Sequence, residues 1–156
     1  MTVAVLPDLS GSIRAYLRSI PALTAIVADR VWIGWPKSPD GSLRVTVPPY
    51  LHAILVESGR GGFAELETPY QTERVDLSCL GPTEEQANTL WRTLHAYLAD
   101  VRRERSASFR AANTLVSGVI FEAGPYRTPD PPTGWPRTWA TYQFRYCALP
   151  LSEVTA

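Results

Sequence analysis

The stretch TEEQANTLWRTLHAYLADVRRE, Thr83–Glu104, decides the fold. Ala87, Leu90, Trp91, Leu94, Leu98 and Val101 recur at steps of three and four, which predicts a helix with one apolar stripe. Arg92, Thr93, Asp100, Arg102 and Arg103 fall largely off that stripe. Thr83 and Gln86 have the spacing of a capping box, in which the hydroxyl accepts from the Gln86 N–H and the Gln86 side chain reaches back. Glu84 and Glu85 sit at the positive end of the helix dipole, and Arg102, Arg103 and Arg105 at the negative end. A helix of about 22 residues is roughly 33 Å long. Being one-sided, it must lie on a flat apolar surface, and the chain offers strands on both sides of it.

Before the helix, Gln71–Leu80 is the strongest strand. Val75, Leu77 and Cys79 alternate with Arg74, Asp76 and Ser78, which predicts one buried and one polar face. Tyr50–Ser58 is a near-continuous apolar run and reads as a buried strand. Gly59-Arg60-Gly61-Gly62 then reads as a hairpin tip, because it lacks the spacing of a phosphate-cradling loop and no helix follows it. Earlier still, Asp8–Ser19 predicts a helix capped by Asp8 or Ser10, and Pro21–Val27 a short second one with proline at its first turn. Arg30–Trp35 reads as a short strand. After the long helix, Ser106–Asn113 is polar and either continues or frays it. Ser117–Ala123 and Trp139–Leu149 read as strands. Two proline-rich loops interrupt this pattern. Pro36–Pro49 contains the turn Pro39-Asp40-Gly41 and a short extended piece at Leu43–Val47; Gly124–Arg137 has five prolines among fourteen residues. The order of elements, with strands joined by loops rather than helical crossovers, predicts an α+β fold: a mainly antiparallel sheet with the helices on one face, as a two-layer sandwich.

At 156 residues the chain is expected to be one domain, large enough to hold a core without disulfides or metal. Its formal net charge is zero, which argues against a nucleic-acid binder working by bulk charge. The two cysteines, Cys79 and Cys147, each lie in a strand-like run and read as buried free thiols. No stretch approaches the length of a membrane span, and the N-terminus lacks the pattern of a signal peptide, so a soluble protein made in a cytoplasm is expected.

Catalytic chemistry is not signalled. The only histidines, His52 and His95, fall within an apolar strand and beside the helix stripe. Cys79 with His95 would need a third orienting group that the sequence does not offer. No cluster has metal-ligand spacing, the carboxylates Glu65, Glu67 and Glu73 read as a solvated face, and no nucleophile elbow occurs. No catalytic residue, metal or cofactor is therefore expected. What stands out is Trp32, Trp35, Tyr126 and Trp135 in or beside proline-rich loops, with Arg60, Arg127 and Arg137 nearby. Trp, Tyr and Arg dominate interface hot spots, and stiff loops lose little entropy on docking. These seven residues are the candidates for a subunit or partner interface.

Several segments together resemble a known family. They are PALTAIVADRVWIGWP (Pro21–Pro36), PPYLHAILVES (Pro48–Ser58), ERVDLSCLGPTEEQANTLWRTLHAYL (Glu73–Leu98) and the late YQFRYCAL (Tyr142–Leu149). This order resembles the tail-completion or tail-terminator proteins of long-tailed bacteriophages, over Ile13 to Leu149. The late proline-rich loop is longer than that pattern and takes nothing from it. The resemblance implies a structural virion protein at the tail–head interface, forming a ring, usually of six, on the tail tube. Such a ring ends tube growth and offers the head–tail joining surface. The implied partners are other copies of the chain, the major tail tube protein and the head-closure or neck connector protein. DNA would be only a passing genome in the lumen, which Arg60, Arg74 or Arg145 could face. A head-closure or neck adaptor of the same particle is the alternative. A small ligand-binding domain or enzyme with a cleft near Arg60 is the third.

Overall fold

A computed structural model of the chain describes residues 7–42, 51–64, 69–100 and 105–148; of these, the side chains at 59–64, 100, 105 and 106 are left out of the description. Among the described residues, three helices and eight strands follow in the order α1 (Leu9–Arg18), α2 (Pro21–Val27), β1 (Val31–Ile33), β2 (Ala53–Ala64), β3 (Gln71–Leu80), α3 (Glu84–Leu98), β4 (Ala99–Asp100), β5 (Arg105–Ser106), β6 (Phe109–Ala111), β7 (Thr114–Arg127) and β8 (Arg137–Ala148). Six strands form one sheet in the order β1-β2-β3-β8-β7-β6. The β1–β2 pair is parallel and the others are antiparallel, so the sheet is mixed. β4 and β5 make a separate two-stranded ladder.

The α+β class expected from the sequence holds, and the apolar stripe of α3 explains how it is built. Ala87, Leu90, Trp91, Leu94 and Leu98 are all buried. They meet Val75, Leu77 and Cys79 of β3 and Ala140, Tyr142 and Phe144 of β8 in one core. α1 and α2 close the same core with Ile13, Leu17, Leu23 and Val27. α1 touches both edge strands, β1 and β6, although they lie at opposite ends of the strand order. Tyr16 stacks flat on Phe109 of β6 at 4.1 Å, and Arg18 donates to the Val31 carbonyl of β1. The sheet therefore curls around the helices.

The caps follow local chemistry. Asp8 Oδ1 accepts from the Gly11 N–H at the start of α1, and Thr83 Oγ1 accepts from the Gln86 N–H at the start of α3. α3 is shorter than its sequence predicts. It stops at Leu98 rather than Glu104, because Ala99 turns extended and pairs with Ser106, while the Ala107 N–H takes the Leu98 carbonyl. Val101, Arg102, Arg103 and Glu104 lie outside the described residues. Accordingly the polar run after the helix does not continue it; it forms β5 and β6.

Two strands are longer than expected. β2 runs through Gly59–Gly62, which is strand with a register shift between Ser58 and Gly62 and not a hairpin tip. β7 begins at Thr114 and carries on through Gly124 to Arg127, so the proline-rich loop shrinks to Thr128–Pro136. β7 absorbs the extra residues through irregular pairing between Phe121 and Tyr126. Gly124 sits there at φ +111°, preceding the cis-bonded Pro125, and a Cβ on it would meet the Ala140 backbone and side chain at about 3 Å. Only glycine suits that position. Of the loop Pro36–Pro49, the part from 43 onward, with the extended piece at Leu43–Val47, lies outside the described residues, as do Tyr50, Glu65, Glu67 and Leu149.

Candidate functional site: the outer face of the sheet

The face of the sheet turned away from the helices carries Trp32, Tyr126, Trp135 and Arg137 among the residues singled out for partners. In β3 the alternation is less clean than expected. Val75 to Leu80 are all buried, Asp76 and Ser78 included. The cause is a second, smaller cluster on this outer face: Ala53, Leu55, Leu80 and Trp135, with Trp32 and Trp35 packed against it. Ala53 pairs with Leu80 and Leu55 with Ser78 in the β2–β3 register, so one end of the outer face is itself apolar and needs a cover.

The cover is the loop Thr128–Pro136, and it is held by one carboxylate. Asp130 is only 2% exposed. Its Oδ2 accepts from Trp35 Nε1 at 3.1 Å, from the Thr133 hydroxyl at 2.7 Å and from the Thr133 N–H at 3.2 Å. Arg137 Nη1 stands 3.9 Å from Oδ1. The backbone closes the loop as well: Asp130 N–H donates to the Trp135 carbonyl, and Gly134 N–H to the Asp130 carbonyl. Trp135, folded under this tie, is 6% exposed and meets Trp35 edge-on at 5.4 Å; Trp35 in turn touches Trp32 at 5.7 Å.

Next to the tie the surface opens. Arg137 donates through Nε to the Thr128 carbonyl and through Nη2 to its hydroxyl, and the same hydroxyl accepts from Trp139 Nε1 at 2.8 Å. The Arg137 guanidinium lies over the Trp139 ring, and Tyr126, 44% exposed, packs on that ring at 4.7 Å. Arg127 reaches Glu84 at the start of α3, at 3.8 Å with both side chains solvated. Thr128, Pro129, Gly134, Pro136, Arg127, Arg137 and Glu84 enclose a hollow of about 140 Å³. A wider depression of about 370 Å³ lies between Arg74, Glu122, Ala123, Tyr126, Trp139 and Thr141. Within it Arg74 Nε approaches both Glu122 carboxylate oxygens, at 2.9 and 3.1 Å, and Thr141 donates to the buried Asp76 at 2.6 Å. Arg145 sits 3.7 Å over the Tyr70 ring and donates to Ser117 Oγ.

The seven interface candidates therefore divide. Tyr126 and Arg127 are both exposed, but on different sides: Tyr126 stands on the outer face by Trp139 and Arg137, whose guanidinium is mostly spent on Thr128 and Asp130, while Arg127 pairs in register with Thr138 and turns to the helix side, toward Glu84. Trp32 and Trp35 are half-buried. Trp135 is an interior residue of the domain, because the apolar end of the outer face takes it up. Arg60 lies in β2 with its side chain outside the description. Of the arginines considered for a lumen, Arg74 and Arg145 both stand on the outer face, each with a partner. Asp130 and Thr128 were missed by sequence reasoning. The signal for Asp130 was present in Asp130-Pro-Pro-Thr133, an Asp with a Thr three residues on, the spacing of a local side-chain-to-backbone turn.

His95 Nδ1 is 2.9 Å from the Tyr142 hydroxyl, and Phe121 meets the imidazole edge-on at 4.9 Å. Burial pushes the Cys79 thiol well above its ordinary range, which holds it protonated, the reverse of an activated nucleophile. His52 is drawn down, first by burial and then by the Arg30 charge, whose Nε donates to the His52 carbonyl. Among the described residues no His, Cys, Asp and Glu group could hold a metal, and no helix is long and apolar enough to cross a membrane.

No family model matches the sequence, and no curated protein resembles it significantly. A solved structure does: a chain in "Virion of native gene transfer agent (GTA) particle" superposes with a TM-score of 0.61 at 13% identity, over 90% of this chain and 95% of that one. At that identity the likeness is one of fold, and it runs nearly end to end on both sides.

Proposed function

We propose that the chain is a structural protein of a tailed, phage-like virion, and that its place there is the end of the tail. The observation that carries the reading is the near-complete match of fold to a chain of a gene transfer agent virion. The finer role follows the sequence resemblance: a closed ring, of six subunits, that caps the tail tube, ends its growth and receives the neck connector. Three features support it. The outer face presents Tyr126 and Trp139, of the kinds that carry interfaces. The sheet ends in two short edge strands, β1 and β6, suited to meeting a neighbour in a heterologous ring. Arg74 and Arg145 hold their charges against Glu122 and the Tyr70 ring, so a wall they line would pass DNA without gripping it. The role is structural rather than catalytic, at the tail–head junction of a particle assembled in the host cytoplasm.

Light scattering on the purified protein, alone and then with tail-tube protein, tests this. The expected result is a ring mass, either free or formed only on tubes, with tubes that stop lengthening. A monomer that ignores tubes overturns the terminator role; one that ignores tubes but binds the connector belongs to the neck instead.

A further inference from the structure

We infer that Asp130 is a buried tie that gives the proline-rich loop its shape in the free subunit, so that the outer face is preformed before any partner arrives. A loop so rich in proline invites the opposite expectation, of order gained only on docking. The geometry points to prior order. Every polar group the tie uses comes from this chain: the Trp35 indole, the Thr133 hydroxyl and N–H, and the Arg137 guanidinium converge on one carboxylate that is 2% exposed. A buried carboxylate so placed is costly unless all these donors stay, so the loop and the Gly34–Trp35 turn are held or lost together. The tie also reaches the exposed side. Arg137 bridges Asp130 to Thr128, Thr128 orients the Trp139 indole, and Tyr126 packs on Trp139. Asp130 is thus a positioning residue for a surface it does not itself touch. Stiffening that surface in advance removes an ordering cost from association. That consequence rests on the assembly role proposed above; the tie itself does not.

Amide and indole hydrogen exchange, followed by NMR on the isolated full chain with no tube protein present, tests the tie alone. The N–H groups of Asp130, Thr133 and Gly134 and the Trp35 indole should be protected in the free protein. Asp130→Ala should speed their exchange by about tenfold or more while the amides of β3 and β8 keep their protection. Asp130→Asn, which keeps an acceptor oxygen, should restore part of it, and Trp35→Phe should loosen the loop without disturbing Thr133 as strongly. Unprotected loop amides in the wild-type free subunit would overturn the inference, and so would unchanged protection in Asp130→Ala. Should Asp130→Ala fail to fold, Asp130→Asn and Trp35→Phe decide between the same outcomes. Tube capping, measured separately on the same variants, bears on the assembly role and leaves the exchange result standing.

Discussion

At the scale of single residues, burial and hydrogen bonding decide which side chains remain available. Tyr146 shows the energetic side of this. Its hydroxyl donates toward Glu73 Oε2 at 3.0 Å and Gln71 Oε1 at 3.1 Å. Burial, then the bond and the charge of Glu73, push its ionisation from 10.0 up to about 12. The folded chain thus holds the phenol proton more tightly than the unfolded one. This contribution to stability is complete below pH 10 and is lost as pH climbs through about 12. Denaturant midpoints should fall across that window, and Tyr146→Phe should make the fall shallower; Tyr142, also raised by burial, keeps some of the slope in the variant. An unchanged slope in Tyr146→Phe would contradict the account. Trp135 and Asp130 mark the limit of legibility at this scale. Composition says that a loop tryptophan prefers contact to water, but not whether the contact is with a partner or with Ala53 and Leu55 some eighty residues away. The carboxylate that settles the matter reads as one more turn residue until Trp35 is seen beside it.

At the scale of elements, local chemistry was legible where it was sufficient. The cap of α1 at Asp8, the bounds of α2 and those of β3 follow from hydrogen-bonding side chains, proline and alternation. The end of α3 was not legible. Ala99, Asp100 and the residues after them include no glycine or proline, and the stop is imposed by pairing with β5 and by the Ala107 N–H. The start of α3 is governed locally and gives a graded test. Thr83→Ala removes only the cap to Gln86 N–H and should cost about 1 kcal/mol. Gly81→Ala should cost more, on the order of 1–3 kcal/mol. The added Cβ would lie 2.9 Å from the Ala87 nitrogen and 3.3 Å from its Cα, backbone atoms that cannot swing aside. Urea unfolding of the two variants should rank Gly81→Ala as the less stable. The reverse order would mean that the turn between β3 and α3 relaxes more freely than its packing suggests.

At the scale of the whole molecule, the two faces of the sheet do different work, and this changes how assembly should be probed. Shortening the loop Thr128–Pro136 would seem a clean way to remove a docking element. It is not, because Trp135 covers the apolar end of the outer face, and its loss would cost about 3–5 kcal/mol of the domain's own stability. A shortened loop that failed to assemble would report misfolding as readily as a lost contact. Tyr126 offers a better cut. It is 44% exposed. Tyr126→Ser should therefore leave the unfolding free energy within about 1 kcal/mol of wild type. Ile120, 63% exposed and opposite Gln143 on the same face, extends the test: Ile120→Lys should be equally harmless to the fold. If the outer face carries the subunit or tube contact, these variants remain monomers by light scattering where the wild type forms rings, and sites on the solvent side of α3 such as Arg92→Glu do not. If the outer-face variants assemble normally while Arg92→Glu fails, the interface lies on the helical side, and the aromatic rim of Tyr126 and Trp139 serves only the loop beneath it.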